Sequence, residues 1–224
     1  MTTVGQRKSH ESAAGHVSGK AVYTDDQRPP IGMLSLYPVV APHAHARIIQ
    51  IDVAAAYEVE GVVTVLTADD VPGENDTGVI IRDEPLLPTD LVSYYGQAVA
   101  WVVGETETAA RLGADRVVIQ YEPLPPILSI KAAIAADSFQ GEPLVVKRGE
   151  VTTALAQAEF RLEGEVEMNG QEHFYLETQA SWVTPDLDGN YQVHSSTQHP
   201  SETQVIIARI LGIPSNRVVV TSLR

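Results

Sequence analysis

Short apolar runs separated by turn-forming clusters dominate the first half of the chain and predict strands. Lys20–Thr24 is a β-type run closed by Asp25-Asp26 and Pro29-Pro30. Met33–Val40 and Ala44–Val53 follow, separated by Pro42, which is tolerated between strands but not inside a central one. Val53–Tyr57 predicts a short helix, Val62–Leu66 a buried strand, and the polar Gly/Pro/Asn/Asp-rich stretch Asp69–Glu84 an exposed loop. Ala98–Val103 is the most apolar strand candidate. Gly104 ends it, and Thr106–Leu112 predicts a helix with Glu105 and Glu107 near its positive end. Val117–Tyr121 predicts one more strand.

Three prolines in the four residues Pro123–Pro126 break the pattern and mark a domain boundary. Beyond it, Ile130–Ala136 and Val151–Ala158 predict short helices on either side of a turn at Gly141-Glu142-Pro143. From Phe160 to Met168 apolar and polar residues come to alternate, the signature of a half-buried strand. Ala180–Val183 and Tyr191–Val193 predict a hairpin closed by Asp188-Gly189. Ser201–Leu211 predicts an amphipathic helix, with Ser201 as N-cap and Gly212 as C-terminal glycine. Val218–Val220 begins a strand with no following element to cover it. Its apolar face and that of the preceding helix are therefore expected to be exposed, and a protease is expected to trim the chain back to near Pro123–Pro126.

Composition narrows the class. Hydrophobic residues make up 44% and charged residues 20%, a globular balance. At 224 residues the chain is long enough for one large domain, or a domain plus part of another. Lys and Arg number 15 against 29 Asp and Glu, for a formal net charge of −14. So acidic a surface repels phosphate backbones and anionic lipid, and neither nucleic acid nor membrane is expected as a partner. With no cysteine, the chain builds no disulfide, thiolate nucleophile, Cys-ligated zinc or iron–sulfur cluster of its own. Met1–Ser12 is polar and no apolar run reaches spanning length, so a cytoplasmic protein is expected.

Candidate chemistry is sparse. Among seven histidines only His43-Ala44-His45 are close, and on a strand both would share one face, but no third ligand lies nearby. Asp25-Asp26 and Asp69-Asp70 are adjacent acids that would point to opposite sides of a strand, so they read as turn residues and not as a proton-sharing pair. No nucleophile elbow, P-loop or complete dinucleotide fingerprint is present. One segment stands apart. Gly170-Gln-Glu-His-Phe-Tyr-Leu-Glu-Thr178 packs an amide, two carboxylates and an imidazole between strand runs. Such residues can surround one cavity. They can equally form a polar loop anchored by Phe174 and Leu176.

That segment resembles the glutamine loop of the molybdenum-binding subunit of the xanthine dehydrogenase and aldehyde oxidase family. The stretch from His10-Glu-Ser-Ala-Ala-Gly-His16 through Gly19–Asp26, Pro42–Arg47 and Tyr95–Ala100 resemble the same subunit, in the same order, over roughly Gly5 to Val220. The resemblance implies an α+β chain: an N-terminal arm over 1–14, an α/β hammerhead domain over 15–125, and the incomplete start of a first molybdopterin-binding domain over 126–224. In this family a molybdenum centre on a molybdopterin hydroxylates purine or aldehyde carbons with oxygen from water, while the protein positions and polarises. Gln171 matches the glutamine that donates a hydrogen bond to the oxo group on molybdenum, a role suited to a neutral amide. Glu172, His173 and Glu177 are expected to support it. The implied partners are FAD-binding and 2Fe-2S subunits or domains and a second catalytic subunit, and the implied context is purine metabolism.

In the family the strand matching Asn216–Val220 runs into a glycine-rich loop of the Gly-Gly-Gly-Phe-Gly-Gly type, where this sequence has Thr221-Ser-Leu-Arg224. The expectation is an N-terminal fragment that binds no cofactor alone and lacks a complete catalytic set. The alternative is a non-catalytic hammerhead module that docks on a partner through its acidic face.

Overall fold

The computed structural model describes residues 4–223, so the first three residues of the expected arm, and Arg224, lie outside the described residues. The helices are α1 (Ala13–Ser18), α2 (Glu107–Ala114), α3 (Ile130–Ala135), α4 (Val151–Gln157) and α5 (Pro200–Leu211). The first six strands are β1 (Ser35–Val40), β2 (Ala46–Asp52), β3 (Val62–Leu66), β4 (Leu91–Val92), β5 (Ala98–Gly104) and β6 (Val118–Pro123). The last three are β7 (Ser181–Pro185), β8 (Tyr191–Ser195) and β9 (Val218–Thr221). They form three sheets of order β1-β5-β3, β4-β2-β6 and β7-β8-β9. Two compact units divide the chain: residues up to Pro125 together with those from Leu176 onward, and Pro126–Tyr175.

In the first unit β5 is the central strand of its sheet, antiparallel to both neighbours. Its unbroken apolar run reflects burial on both faces. Ala100 and Val102 join Ala56, Val65 and Ala114 in one core cluster, whereas Val99 joins Ala41, Ala46 and Val92 in another. α2 covers the first of these faces. Thr106 caps it by accepting from the Ala109 N–H at 3.1 Å. Its approach depends on Gly113, where a Cβ would come within 2.7 Å of Val62 and 2.9 Å of Val102. Gln97, buried ahead of β5, accepts from the Ser93 N–H at 2.8 Å and pins the loop that carries the Tyr95–Ala100 motif.

The third sheet joins a hairpin to a parallel pair. β7 and β8 are antiparallel around Asp188-Gly189, and β9 lies parallel to β8 after α5. Val193, Ala208 and Val218 form its core. Val218 is fully buried, which corrects the expectation of an exposed run there, although Val219 on the same strand is exposed. The sequence shows no neighbour for β9 because the neighbour, β8, lies across an intervening helix.

α5 ends at Gly212 in the left-handed conformation (φ 65°), with its N–H on Ala208 and Arg209 and the Ile213 N–H on the Ala208 carbonyl at 2.9 Å. A distant segment also donates to the last turn. Gly73 N–H donates to Ile210 at 2.8 Å and Glu74 N–H to Arg209 at 3.1 Å. Nη2 of Arg209 returns two bonds, to the carbonyls of Asp76 (2.8 Å) and Gly78 (3.0 Å), beside the Asp76 carboxylate at 3.9 Å. A Cβ on Gly73 would overlap the Arg209 carbonyl oxygen.

Several expectations need correction. Asp69–Glu84 is not a plain exposed loop: it docks α5, and Asn75 pairs its amide with both the N–H and C=O of Leu87. Lys20–Thr24 is not a strand. Thr24–Asp26 is a 3-10 turn in which Asp26 accepts from the Tyr23 N–H at 2.9 Å, a local bond that replaces a ladder bond. α1 was not expected, and β4, with two residues, is too short to leave a periodic trace. Val53–Tyr57 forms a 3-10 helix over Ala54–Glu58. α5 begins at Pro200 with His199, not Ser201, as N-cap, because proline at the first turn is already set for a helix. Phe160–Met168 forms no strand.

In the second unit α3 is capped by Ser129, which accepts from the Ala132 N–H at 3.1 Å. Lys131 pairs with Glu165 at 3.4 Å, and Arg161 Nε donates to the Leu155 carbonyl at 2.8 Å. None of its residues is buried.

These facts change the proteolysis expected above. Cleavage within 126–175 is expected first, and residues 4–125 and 176–223 are expected to co-elute afterwards on a sizing column. Gly73→Ala is expected to cost about 1–3 kcal/mol in urea unfolding, as overpacking against backbone does, and to release the second piece after cleavage.

Candidate functional site

Gln171 lies in the second unit, in an irregular segment, with its side chain exposed and without a hydrogen bond to any described residue. Around it, Glu172 accepts from the Phe174 N–H at 3.3 Å. Phe174 adopts φ 50°, a conformation bulky side chains rarely take, and is 94% exposed. Leu176 is exposed as well, so neither apolar residue anchors the loop in a core. Glu177, in the first unit, is half-buried and keeps one carboxylate oxygen buried without a hydrogen-bond partner among the described residues. His173 is exposed. Gln171 is therefore an exposed neutral donor in the second unit, and neither Glu172 nor His173 hydrogen-bonds to it.

Thr178 and Trp182 tie the C-terminal part of the first unit to the region of Asp25-Asp26. The Thr178 hydroxyl donates to Asp25 at 3.4 Å, and Trp182 Nε1 donates to Gln27 at 3.1 Å. Trp182 also stacks on its cross-strand neighbour His194, with centroids 3.9 Å apart and planes at 5°. Next to this sheet Gln179, Ser181, Ser195, Ser196, Thr197 and Thr203 line an open cavity of about 320 Å³. Its lining is neutral and rich in hydroxyls, able to donate and accept but not to supply charge. Sequence reasoning missed it, because its residues come from β7, β8, α5 and the segments flanking them and form no motif.

The acid pairs are turn residues. Asp26 caps Tyr23, and Asp70 accepts from both the N–H and hydroxyl of Thr67, at 2.7 and 3.0 Å. His43 and His45 sit in the bend between β1 and β2 and not on a strand, and they have separate partners. His43 packs edge-on to Tyr121, with centroids 5.1 Å apart. His45 Nδ1 lies 3.1 Å from the Pro125 carbonyl, which can only accept, so that nitrogen carries the proton. Among the described residues no group of three or more His, Asp or Glu side chains is placed to hold a metal. No helix of the described residues is long and apolar enough to cross a membrane.

An antiparallel sheet centred on β5, and later in the chain a β8-α5-β9 unit whose two strands are parallel, are the fold features that bear on the class. Residues 18–125 match the a/b hammerhead domain of aldehyde oxidase and xanthine dehydrogenase, and residues 136–224 match the molybdopterin cofactor-binding domain. The chain belongs to the aldehyde oxidase and xanthine dehydrogenase family, and it corresponds to the N-terminal part of the molybdenum-binding subunit. It is 42% identical to xanthine dehydrogenase 1 of Arabidopsis thaliana and 41% identical to xanthine dehydrogenase/oxidase of Felis catus, over 97% of its own length in each case. It spans only 16% of the length of either relative. Among solved structures, the aldehyde oxidoreductase of Desulfovibrio gigas matches with a TM-score of 0.83 at 28% identity, covering 95% of this chain and 26% of that one.

Tyr121 offers a titration test of this region. Its hydroxyl is buried without a hydrogen-bond partner among the described residues, and burial pushes the phenol above the ordinary tyrosine range. The unfolded chain ionises first, so the stability contributed by Tyr121 is complete below the unfolded value of 10.0 and is lost as pH rises through the folded value. Tyr121→Phe is expected to unfold in urea no more easily than the wild type at neutral pH, and to lose less stability on alkaline titration.

Proposed function

We propose that the chain supplies the hammerhead (15–125) and the start of the first molybdopterin-binding domain (126–224) of a cytoplasmic molybdenum hydroxylase that acts on a purine or an aldehyde. The observation that carries this reading is the pair of family matches in one order, with about two-fifths identity to xanthine dehydrogenases along the chain. Identity to these relatives exceeds that to the aldehyde oxidoreductase, so xanthine is the first substrate to test.

The residues present fit the molybdenum–molybdopterin group as a hydrogen-bonding partner and not as a ligand set. Gln171 has an unengaged carboxamide with two N–H donors and no charge. When bound, the group supplies the two-electron redox chemistry of hydroxylation. Gln171 would donate an N–H toward that group and so stabilise developing negative charge there without adding a charge of its own. Glu172, by accepting from the Phe174 N–H, shapes the turn that follows Gln171. FAD-binding and 2Fe-2S subunits or domains receive the electrons, and a second copy of the catalytic subunit completes the assembly.

Because the match covers 16% of the relatives, turnover belongs to the assembly and not to this chain by itself. The purified chain is expected to contain no molybdenum and to give no xanthine-dependent dye reduction; either activity or stoichiometric metal in the isolated chain overturns this part. Co-expressed with the rest of a molybdenum-binding subunit and its electron-transfer partners, the chain is expected to support turnover. Gln171→Ala in that assembly is expected to lower kcat on the order of 10²-fold with a smaller change in KM, as loss of one preorganised donor does.

A further inference from the structure

The turn between β7 and β8 carries chemistry of its own. Asp188-Gly189 is the one Asp-Gly pair in the sequence. In such a pair the glycine nitrogen, with no side chain to shield it, can attack the carboxyl carbon of the preceding side chain. A C–N bond forms, one carboxyl oxygen leaves as water, and the product is a five-membered succinimide. Water then reopens the ring in one of two ways. Attack at the side-chain carbonyl restores aspartate, and attack at the main-chain carbonyl gives isoaspartate, with one extra methylene in the backbone. Water is the only other reactant. The turn cannot escape this chemistry by substitution, because Gly189 has φ 75° and a Cβ there would come within 2.7 Å of Nη2 of Arg217.

The fold restrains both reacting partners. Ring closure requires a free Gly189 nitrogen and rotation of the peptide plane between Asp188 and Gly189 toward the Asp188 carboxyl. In the structure the Gly189 N–H donates to the Asp186 carbonyl at 3.1 Å. Nη2 of Arg217 donates to the carbonyl of Asp188 at 3.0 Å and to that of Gly189 at 2.8 Å, so one guanidinium holds the peptide planes on both sides of Gly189. The rest of the turn is tied to the same residues. The Asp186 carboxylate accepts from the N–H groups of Asp188 (2.9 Å) and Asn190 (2.8 Å) and from the Asn190 amide (2.9 Å), and Nε of Arg217 donates to Asn190 Oδ1 at 3.4 Å.

We propose that Asp188 is a latent isoaspartate site and that Arg217 keeps it closed by clamping the two carbonyls. Reaction requires a local opening that breaks both Arg217 bonds, so its rate follows the population of the opened turn. An isoaspartate at 188 lengthens the backbone between Asp186 and Asn190 and disturbs the pairing that sets Pro185 opposite Tyr191. The effect reaches further, because Arg217 directly precedes β9, and Val218 of β9 pairs with Tyr191. The residue that guards the turn thus also starts the parallel strand, and modification of the turn loosens both.

The test is to age the full chain at neutral pH and physiological temperature and to follow isoaspartate at position 188 by fragment-ion mass spectrometry. A synthetic peptide of residues 184–192 gives the unrestrained rate. The wild-type chain is expected to react about 10-fold or more slowly than the peptide, the effect of two charge-assisted hydrogen bonds that must break first. Arg217→Ala is expected to recover most of that factor while hydrogen–deuterium exchange shows Tyr191–Ser195 still protected, which separates loss of the clamp from loss of the hairpin. Should Arg217→Ala expose those amides, Arg217→Lys takes the reading: it keeps the charge but reaches one carbonyl at a time, and its rate is expected to fall between those of the wild type and the peptide. A wild-type chain that reacts as fast as the peptide overturns the proposal. So does an Arg217 variant with a protected hairpin that reacts as slowly as the wild type.

Discussion

The C-terminal end of α5 is the densest of the polar junctions that join the two sequence segments of the first unit. A helix leaves its last carbonyls without partners, and three of those of α5 are met in two ways. Gly212 and Ile213 turn the chain back onto Ala208 and Arg209, while Gly73 and Glu74, well over a hundred residues earlier, donate to Ile210 and Arg209. Arg209 then reverses the direction and donates to Asp76 and Gly78. The guanidinium is largely buried, and burial of a charge is tolerated only with such partners. Donors and acceptors from the two segments are thus exchanged at one place. The contiguous stretch 126–175 is excluded from the unit although it lies between them in sequence.

This junction explains a misreading. A Gly-, Pro-, Asn- and Asp-rich stretch is the ordinary composition of a surface loop, and Asp69–Glu84 has it. The same residue types are also those that let backbone approach backbone. Gly73 has no Cβ to strike the Arg209 carbonyl, and the amide of Asn75 imitates a peptide group against Leu87. Local composition reports what a segment is able to do with its backbone and is silent about the distant partner. Where the partner is local, reading succeeds. Asp26 and Asp70 cap turns within three residues, Gly212 ends its helix, and Asp188-Gly189 closes its hairpin, each legible because cause and effect lie within one turn.

Hydrophobic period was legible in a different way. β5 reads as a continuous apolar run because both faces are covered, one under α2 and the other by the cluster around Val92. Phe160–Met168 reads as a half-buried strand with equal clarity, yet it pairs with no strand among the described residues. The pattern encodes which face needs cover; it does not supply the cover. A strand forms only where a second backbone meets its N–H and C=O groups, and the second unit contains no strand to do so.

Gln171 shows the same limit at the level of chemistry. Its residue type and neighbours are compatible with an ordinary polar loop, and only the resemblance over the rest of the chain assigned it a ligand. Physically, an exposed amide is a poor catalytic donor, because water competes for both partners and the net gain of one neutral hydrogen bond is about 1 kcal/mol. Excluding water and fixing the donor before the reaction raise that contribution several-fold. The apolar residues near Gln171 in sequence within its own unit, Phe160, Leu162, Val166, Met168 and Phe174, are themselves exposed. An amide used as a catalytic donor therefore needs cover that the described residues of its own unit do not supply.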